Sequence, residues 1–188
     1  MITTGVIPGC GYHMRGEERP FFKKNGITTL YVFPVRNKSY KAGIEITVYN
    51  ALRKRFSEGG YLRIVDQPEN ADASILATIN TAEYGPMAIT TVDKIAGAGS
   101  GNALGPSNVQ IASSYNVGLS VNFLLTSKQG KIIWSDTIGN NKSFAASNYL
   151  GTLGSTSALI NEGEFERILT DLSETISANA EESINALY

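Results

Sequence analysis

The spacing of apolar residues changes several times along the chain, and each change marks an element. Ile27-Thr28-Thr29-Leu30-Tyr31-Val32-Phe33 is β-branched and aromatic and lies between Gly26 and Pro34, which predicts a strand. Asn37, Lys38 and Ser39 then make a turn. From about Ala42 the apolar positions Ile44, Val48, Leu52 and Phe56 recur every fourth residue, with Ala51 on the same face, which is a helical period. Glu45 in its first turn and Arg53, Lys54 and Arg55 in its last suit the macrodipole, and Gly59-Gly60 supplies a left-handed stop. Tyr61 to Asp66 predicts a second strand. Ala73 to Glu83 alternates, with Ile75, Ala77, Ile79 and Thr81 against Leu76, Thr78 and Asn80, until Tyr84-Gly85-Pro86 ends the strand or bulges it.

Beyond that point two strands stand between two polar connections. The first connection is Met87 to Asn108, rich in Gly, Ala and Ser. Val109 to Leu125 places Tyr115, Val117, Leu119, Val121, Phe123 and Leu125 on one face and Ser114, Asn116, Ser120 and Asn122 on the other, so one face is core and the other is wet or meets a polar partner. Ser127 to Gly130 reads as a hairpin turn into an antiparallel strand, Lys131 to Ile138. Gly139 to Thr156 is the second polar connection. From Asn161 to Tyr188 a stripe of Phe165, Ile168, Leu169, Leu172, Ile176, Ala180, Ile184 and Leu187 predicts a long amphipathic helix, with Asn161 and Glu164 in a capping arrangement. These elements predict a two-layer α/β (α+β) sandwich: a mixed, mostly antiparallel sheet of four to five strands covered by two amphipathic helices. Residues 1–25 read as a signal remnant with an anchoring cysteine and an extended lead-in from Gly11 to Asn25, and 26–188 as a single domain.

Composition narrows the function. The chain has 188 residues, a formal charge of −1 and only 18% charged residues. A nucleic-acid binder relies on clustered Lys and Arg, so that class is excluded. No apolar run approaches the roughly 20 residues of a membrane-spanning helix. Ser, Thr, Asn and Gly replace the missing charges, so the surface is polar but weakly charged.

The single cysteine, Cys10, follows Val6-Ile7-Pro8-Gly9 and precedes Gly11. An apolar run ending in a small residue and Cys suits lipoprotein processing, in which Cys10 becomes acylated. Pro8 and the brief Met1–Gly9 segment do not suit it, and a free thiol is the alternative reading. His13, the single histidine, has no partners at ligand or dyad spacing, so it reads as structural. No catalytic constellation, metal set or cofactor motif is present: Glu17-Glu18 are adjacent, and the Gly-rich tip near Gly97 lacks the Lys-Ser/Thr ending of a phosphate loop. Lys94 and Lys142 are the isolated basic residues of the two polar connections, where an anionic ligand would meet them first.

Taken together, Cys10-Gly11-Tyr12-His13 with Gly16, Val32-Phe33-Pro34-Val35-Arg36-Asn37, Gly43-Ile44-Glu45 with the helix after it, and Lys131-Ile132-Ile133-Trp134-Ser135-Asp136 resemble the LptE family of lipopolysaccharide-assembly lipoproteins. The resemblance runs over most of Cys10 to Leu187. It implies a non-enzymatic protein without a cofactor, tethered through an acylated Cys10 to the periplasmic face of the outer membrane. It further implies a plug in the lumen of the β-barrel LptD, an assistant in that barrel's assembly and a contact with lipopolysaccharide. Best-known members carry a basic residue before the last helix, whereas here residues 143–160 contain no Lys or Arg and Lys142 is the nearest cation. The alternative is a periplasmic lipoprotein of the TolB N-terminal or CsgG type, which shares the strand, Asn turn and helix and binds another envelope partner.

Overall fold

The computed structural model describes residues 20–58, 60–92, 109–145 and 162–187. Its first element is one helical turn, α1 (Pro20–Lys24), where sequence alone predicted extended chain. The turn exists because two adjacent aromatics both need burial: Phe21 and Phe22 enter the core, and the Phe22 ring meets Phe56 edge-on at 6.2 Å.

β1 (Thr29–Val32) and the short β2 (Arg36–Asn37) follow. Asn37 organises the turn between β2 and α2 (Ile44–Ser57). Its Nδ2 donates to the Lys41 carbonyl at 2.7 Å and to Glu45 at 2.9 Å, while its Oδ1 accepts from the Ser39 N–H at 2.8 Å. Gly43, at φ 90°, occupies the left-handed region at the helix start. α2 buries Ile44, Val48, Ala51, Leu52 and Phe56, the stripe predicted from spacing.

β3 (Arg63–Val65) and a 3-10 turn (Pro68–Asn70) lead to three long strands, β4 (Ala73–Val92), β5 (Val109–Ser127) and β6 (Ile132–Ala145), and then to α3 (Glu162–Asn185). The sheet order is β3-β1-β4-β5-β6, with β2 continuing alongside β4 where β1 ends. β1 runs parallel to β3 and β4, and β2 runs parallel to β4, whereas β4, β5 and β6 form an antiparallel meander. Gly130, at φ 78°, closes the β5–β6 hairpin as expected. The α2 and α3 stripes lie on one face of this sheet, giving the predicted mixed α+β architecture.

Asp72 fastens the parallel half to the meander. Its carboxylate accepts from the Thr28 N–H (2.9 Å), the Thr28 hydroxyl (3.0 Å) and the Thr29 N–H (2.9 Å). These donors, the Thr28 N–H foremost, hold its pKa down to about 2.

The meander is longer than its hydrophobic pattern. β4 does not stop at Gly85-Pro86 but runs to Val92, with register shifts between Ile79 and Thr81, Pro86 and Ala88, and Ala88 and Ile89. Pro is tolerated beside such an irregularity because the ladder is already locally disrupted there. β6 likewise continues through Gly139-Asn140-Asn141 to Ala145, so residues 87–92 and 139–145, expected as loop, are strand. The rest of both connections, 93–108 and 146–156, lies outside the described residues.

Candidate functional site

Alternation along β5 creates two unlike surfaces. Tyr115, Val117, Leu119, Val121, Phe123 and Leu125 are buried under the helices. Their neighbours Ser114, Asn116, Gly118, Ser120, Asn122, Leu124 and Thr126 point to the opposite face, where all are part-exposed. Register extends that face sideways, because residues paired across strands share a side of the sheet. Asn122 lies between Thr78 and Thr137, Ser120 between Thr81 and Gly139, and Gly118 between Glu83 and Asn141. No described helix covers this face. Among the residues of β4, β5 and β6 whose side chains are described it carries one charge, Glu83, and it is mainly Ser, Thr, Asn and Gly, with Leu76, Leu124 and Ile132 gathered toward the β5–β6 hairpin and Ala145 opposite Ser114.

Gly118 and Gly139, adjacent diagonally across the β5–β6 ladder, remove two side chains from the middle of the face. A shallow open depression of about 340 Å³ results, rimmed by Thr81, Glu83, Asn116, Ser120 and Asn141. The rim offers hydroxyls, amides and one carboxylate, suited to many weak hydrogen bonds over a broad contact.

The helix side of the sheet's far end has different chemistry. Tyr115 lies between Tyr84 (5.4 Å between ring centroids) and Phe144 (5.6 Å), and Tyr84 also touches Phe165 at the start of α3 (5.3 Å). Partial burial raises the Tyr84 pKa above its ordinary value. Lys41 lies 5.0 Å over the Phe165 ring and pairs with Glu166.

Lys142 belongs to this side. It was expected as an isolated cation in a loop, but it is a β6 residue whose Nζ lies 3.1 Å from the Asp171 carboxylate on α3. The same oxygen accepts from Arg167 at 3.2 Å, and Arg167 also donates to Glu164 at 3.0 Å. Hydrogen bonding from Arg167 holds the Glu164 carboxyl below its ordinary pKa, and Glu164 in turn raises Arg167. Two cations thus meet two carboxylates in one surface network. Arg167 is the functional candidate that sequence reading missed, although the i, i+3 and i+4 spacing of Glu164, Arg167 and Asp171 was visible. Cys10, His13 and Lys94, and Asn161 of the expected cap, lie outside the described residues.

Among the described residues there is no group of His, Cys, Asp and Glu that could hold a metal ion, and no helix is long and apolar enough to cross a membrane.

Comparison with known proteins gives the family. A model of the LptE family, described as lipopolysaccharide-assembly, matches residues 27–180. No curated protein matches the sequence. Among solved structures, an uncharacterized lipoprotein B from Nitrosomonas europaea is 13% identical with a TM-score of 0.48, the match covering 94% of this chain and 92% of that one. The rare lipoprotein B from Shewanella oneidensis is 12% identical with a TM-score of 0.46, over 85% and 96% of the two chains. A minor lipoprotein from Acinetobacter baumannii is 12% identical with a TM-score of 0.45, over 85% and 93%.

Proposed function

The chain belongs to the LptE family, non-enzymatic lipoproteins of lipopolysaccharide assembly, and from that membership we propose that it plugs an LptD-type outer-membrane β-barrel. In this reading the protein also assists the barrel's assembly. Acylated Cys10 holds it at the periplasmic face of the outer membrane, where stable anchoring requires more than one acyl chain. The observation that supports the plug is the uncovered face of the β4–β5–β6 meander, broad and polar, with Glu83 as its one charge among the described residues and Arg36 of β2 beside it at Thr78. The lumen of such a barrel is itself polar. A plug with many unpaired charges would suffer a desolvation cost on entering, whereas short hydroxyl and amide side chains exchange water for wall contacts at little cost. The connections on either side of Lys94 and after Ala145 add contact to the barrel.

Lipopolysaccharide contact is the finer part of the proposal. Lys94 and Lys142 are the cations that meet an anionic glycolipid, and for Lys142 the glycolipid must compete with Asp171 at 3.1 Å. A reversible, salt-sensitive contact is the consequence.

Co-expression with the cognate barrel, followed by affinity capture and size-exclusion chromatography, tests the plug. A stoichiometric complex is expected. Shortening residues 96–105 is expected to leave the fold intact, because closure entropy changes only slowly with the length of a connection, and to lower the yield of complex. If the intact protein captures no barrel, the plug reading fails. Lys94→Glu with Lys142→Glu is expected to lower glycolipid binding at low salt and to have little effect at high salt. Cys10→Ser in the full-length gene is expected to release the protein from the outer-membrane fraction.

A further inference from the structure

β6 ends the sheet, and among the described residues no strand pairs with its outer side. A strand edge of 14 residues is long; among the described residues its Thr137 and Asn141 N–H groups donate only to the adjacent Asp136 and Asn140 side chains, at 2.8 Å each, local bonds that a pairing strand would replace. Edge strands are commonly protected by Pro, by several Lys or by inward-pointing charges. β6 contains no Pro, and its ionisable side chains are Asp136 and Lys142. Both lie on the helix side, where Ser183 donates to Asp136 at 3.3 Å and Asp171 holds Lys142.

These positions are symmetric about Gly139. Asp136 lies three residues before it and Lys142 three after; Trp134 lies five before it and Phe144 five after. If β6 pairs antiparallel with a second β6 about a two-fold axis at Gly139, Asp136 of each copy faces Lys142 of the other. Trp134 and Phe144 face one another in the same way, and each of these contacts occurs twice. Slipping the register by two residues in either direction removes all four matches.

Among the described residues, the ridge of α3 above β6 does not obstruct this pairing. Asp171, Thr175, Asn179 and Ser183 form one ridge of α3 at four-residue spacing, and its two ends touch β6 at Lys142 and Asp136. The two residues between them, Thr175 and Asn179, are exposed and have short side chains, so no long side chain from that ridge reaches over the middle of β6. We propose that β6 is a self-association edge, joining two copies of this chain into one continuous sheet through antiparallel β6–β6 pairing centred on Gly139. The partner is a second copy because the charge and aromatic pattern of the edge is complementary to its own reverse. This inference is independent of the barrel reading.

The test uses the purified 188-residue chain with Cys10→Ser as the background. Sedimentation velocity across a concentration series is expected to show a reversible monomer–dimer equilibrium that weakens with salt. Asp136→Lys alone, or Lys142→Asp alone, places like charges opposite one another twice and is expected to weaken dimerisation about tenfold. The double reversal is expected to recover the affinity, with thermal melts checking that each variant folds. Gly139→Cys supplies a second readout, since a Cβ there meets Ser120 at an ordinary 3.7 Å. It is expected to give a disulfide-linked dimer under mild oxidation, whereas Ser135→Cys, which would face Ser143 of the other copy, is not. A chain that stays monomeric and uncrosslinked overturns the proposal. Equal crosslinking from both cysteines, or single reversals that leave the dimer unchanged, also overturns it.

Discussion

The two faces of the meander share strands, backbone ladder and register, and differ in what their side chains must do. On the helix side Val121, Phe123 and Leu125 are fully buried and Trp134 stacks 6.1 Å from Phe123. On the other side Ser120, Asn122, Thr137 and Gly139 lie next to them in sequence or across the ladder, with no described helix over them. Burial of apolar area drives folding, so substitutions on the covered face act on stability. The open face is released from that requirement, and in the function proposed above its composition suits a polar barrel wall. A sheet that folds on one side and, as proposed, meets the barrel on the other predicts a clean division of mutational effects.

The largest effects belong to the covered face. Phe123→Ala is expected to cost about 3–5 kcal/mol, and Leu52→Ala or Leu172→Ala about 2–5 kcal/mol each, by urea denaturation of the lipid-free body. The comparison breaks if both leucine substitutions cost less than about 1 kcal/mol, because the α2 and α3 stripes would then not be supporting the sheet.

Asp72 tests the seam between the parallel half and the meander. Its folded pKa, about 2, is depressed below the ordinary 3.8. A depressed carboxyl contributes stability that is present above its unfolded pKa and is lost as pH falls through the folded value. The wild type is therefore expected to lose roughly 1–2 kcal/mol between about pH 4 and pH 2 that Asp72→Asn does not lose, since that variant lacks the contribution throughout. Parallel urea melts at several pH values read the difference, and identical pH profiles would dismiss the Thr28–Thr29 anchor.

How much of this was legible in the sequence follows the same division. Elements whose periodicity is enforced by burial were readable: the α2 stripe, the α3 stripe from Phe165 to Ile184, and the alternation of β5. The extensions of β4 and β6 were not. Met87–Val92 follows a Gly-Pro pair, and Gly139-Asn140-Asn141 has low β-propensity, so both look like loop. They are strands because β5 offers a continuous partner on both sides, Tyr115 pairing with Pro86 and with Phe144. Long-range pairing of this kind overrides local preference and leaves little trace in a short sequence window. The α1 turn is hidden for a related reason: five residues are too few to show a period, and Phe21 and Phe22 are buried by tertiary contacts. For Lys142 the charge was visible, but not the strand that carries it to Asp171.

Lys142→Ala sharpens the contrast between charge and burial. Lys142 and Asp171 are 49% and 39% exposed, and such pairs contribute little, so the expected cost is below about 1 kcal/mol. A larger loss in thermal or urea melts would make the network with Arg167 structural.

The smallest stability effect, and the sharpest functional one, belongs to the open face. Asn122 Nδ2 donates to the Thr137 hydroxyl at 2.9 Å across the β5–β6 ladder, one exposed bond among many. Asn122→Ala is expected to change stability by about 0.5 kcal/mol or less. Asn122→Glu with Thr137→Glu sets two like charges opposite one another in the middle of the face, costing up to about 1 kcal/mol in melts and leaving the helix-covered core untouched. A barrel wall laid on that face would have to bury both charges, so capture of the LptD-type barrel is expected to fall far more than stability does. The matched control places the same two carboxylates at Gln67 and Asn70 in the 3-10 turn, two neutral, exposed residues outside the proposed contact. If the ladder variant captures the barrel as well as the control does, the open face is not the contact surface, and the connections and the helix side of the sheet must carry it.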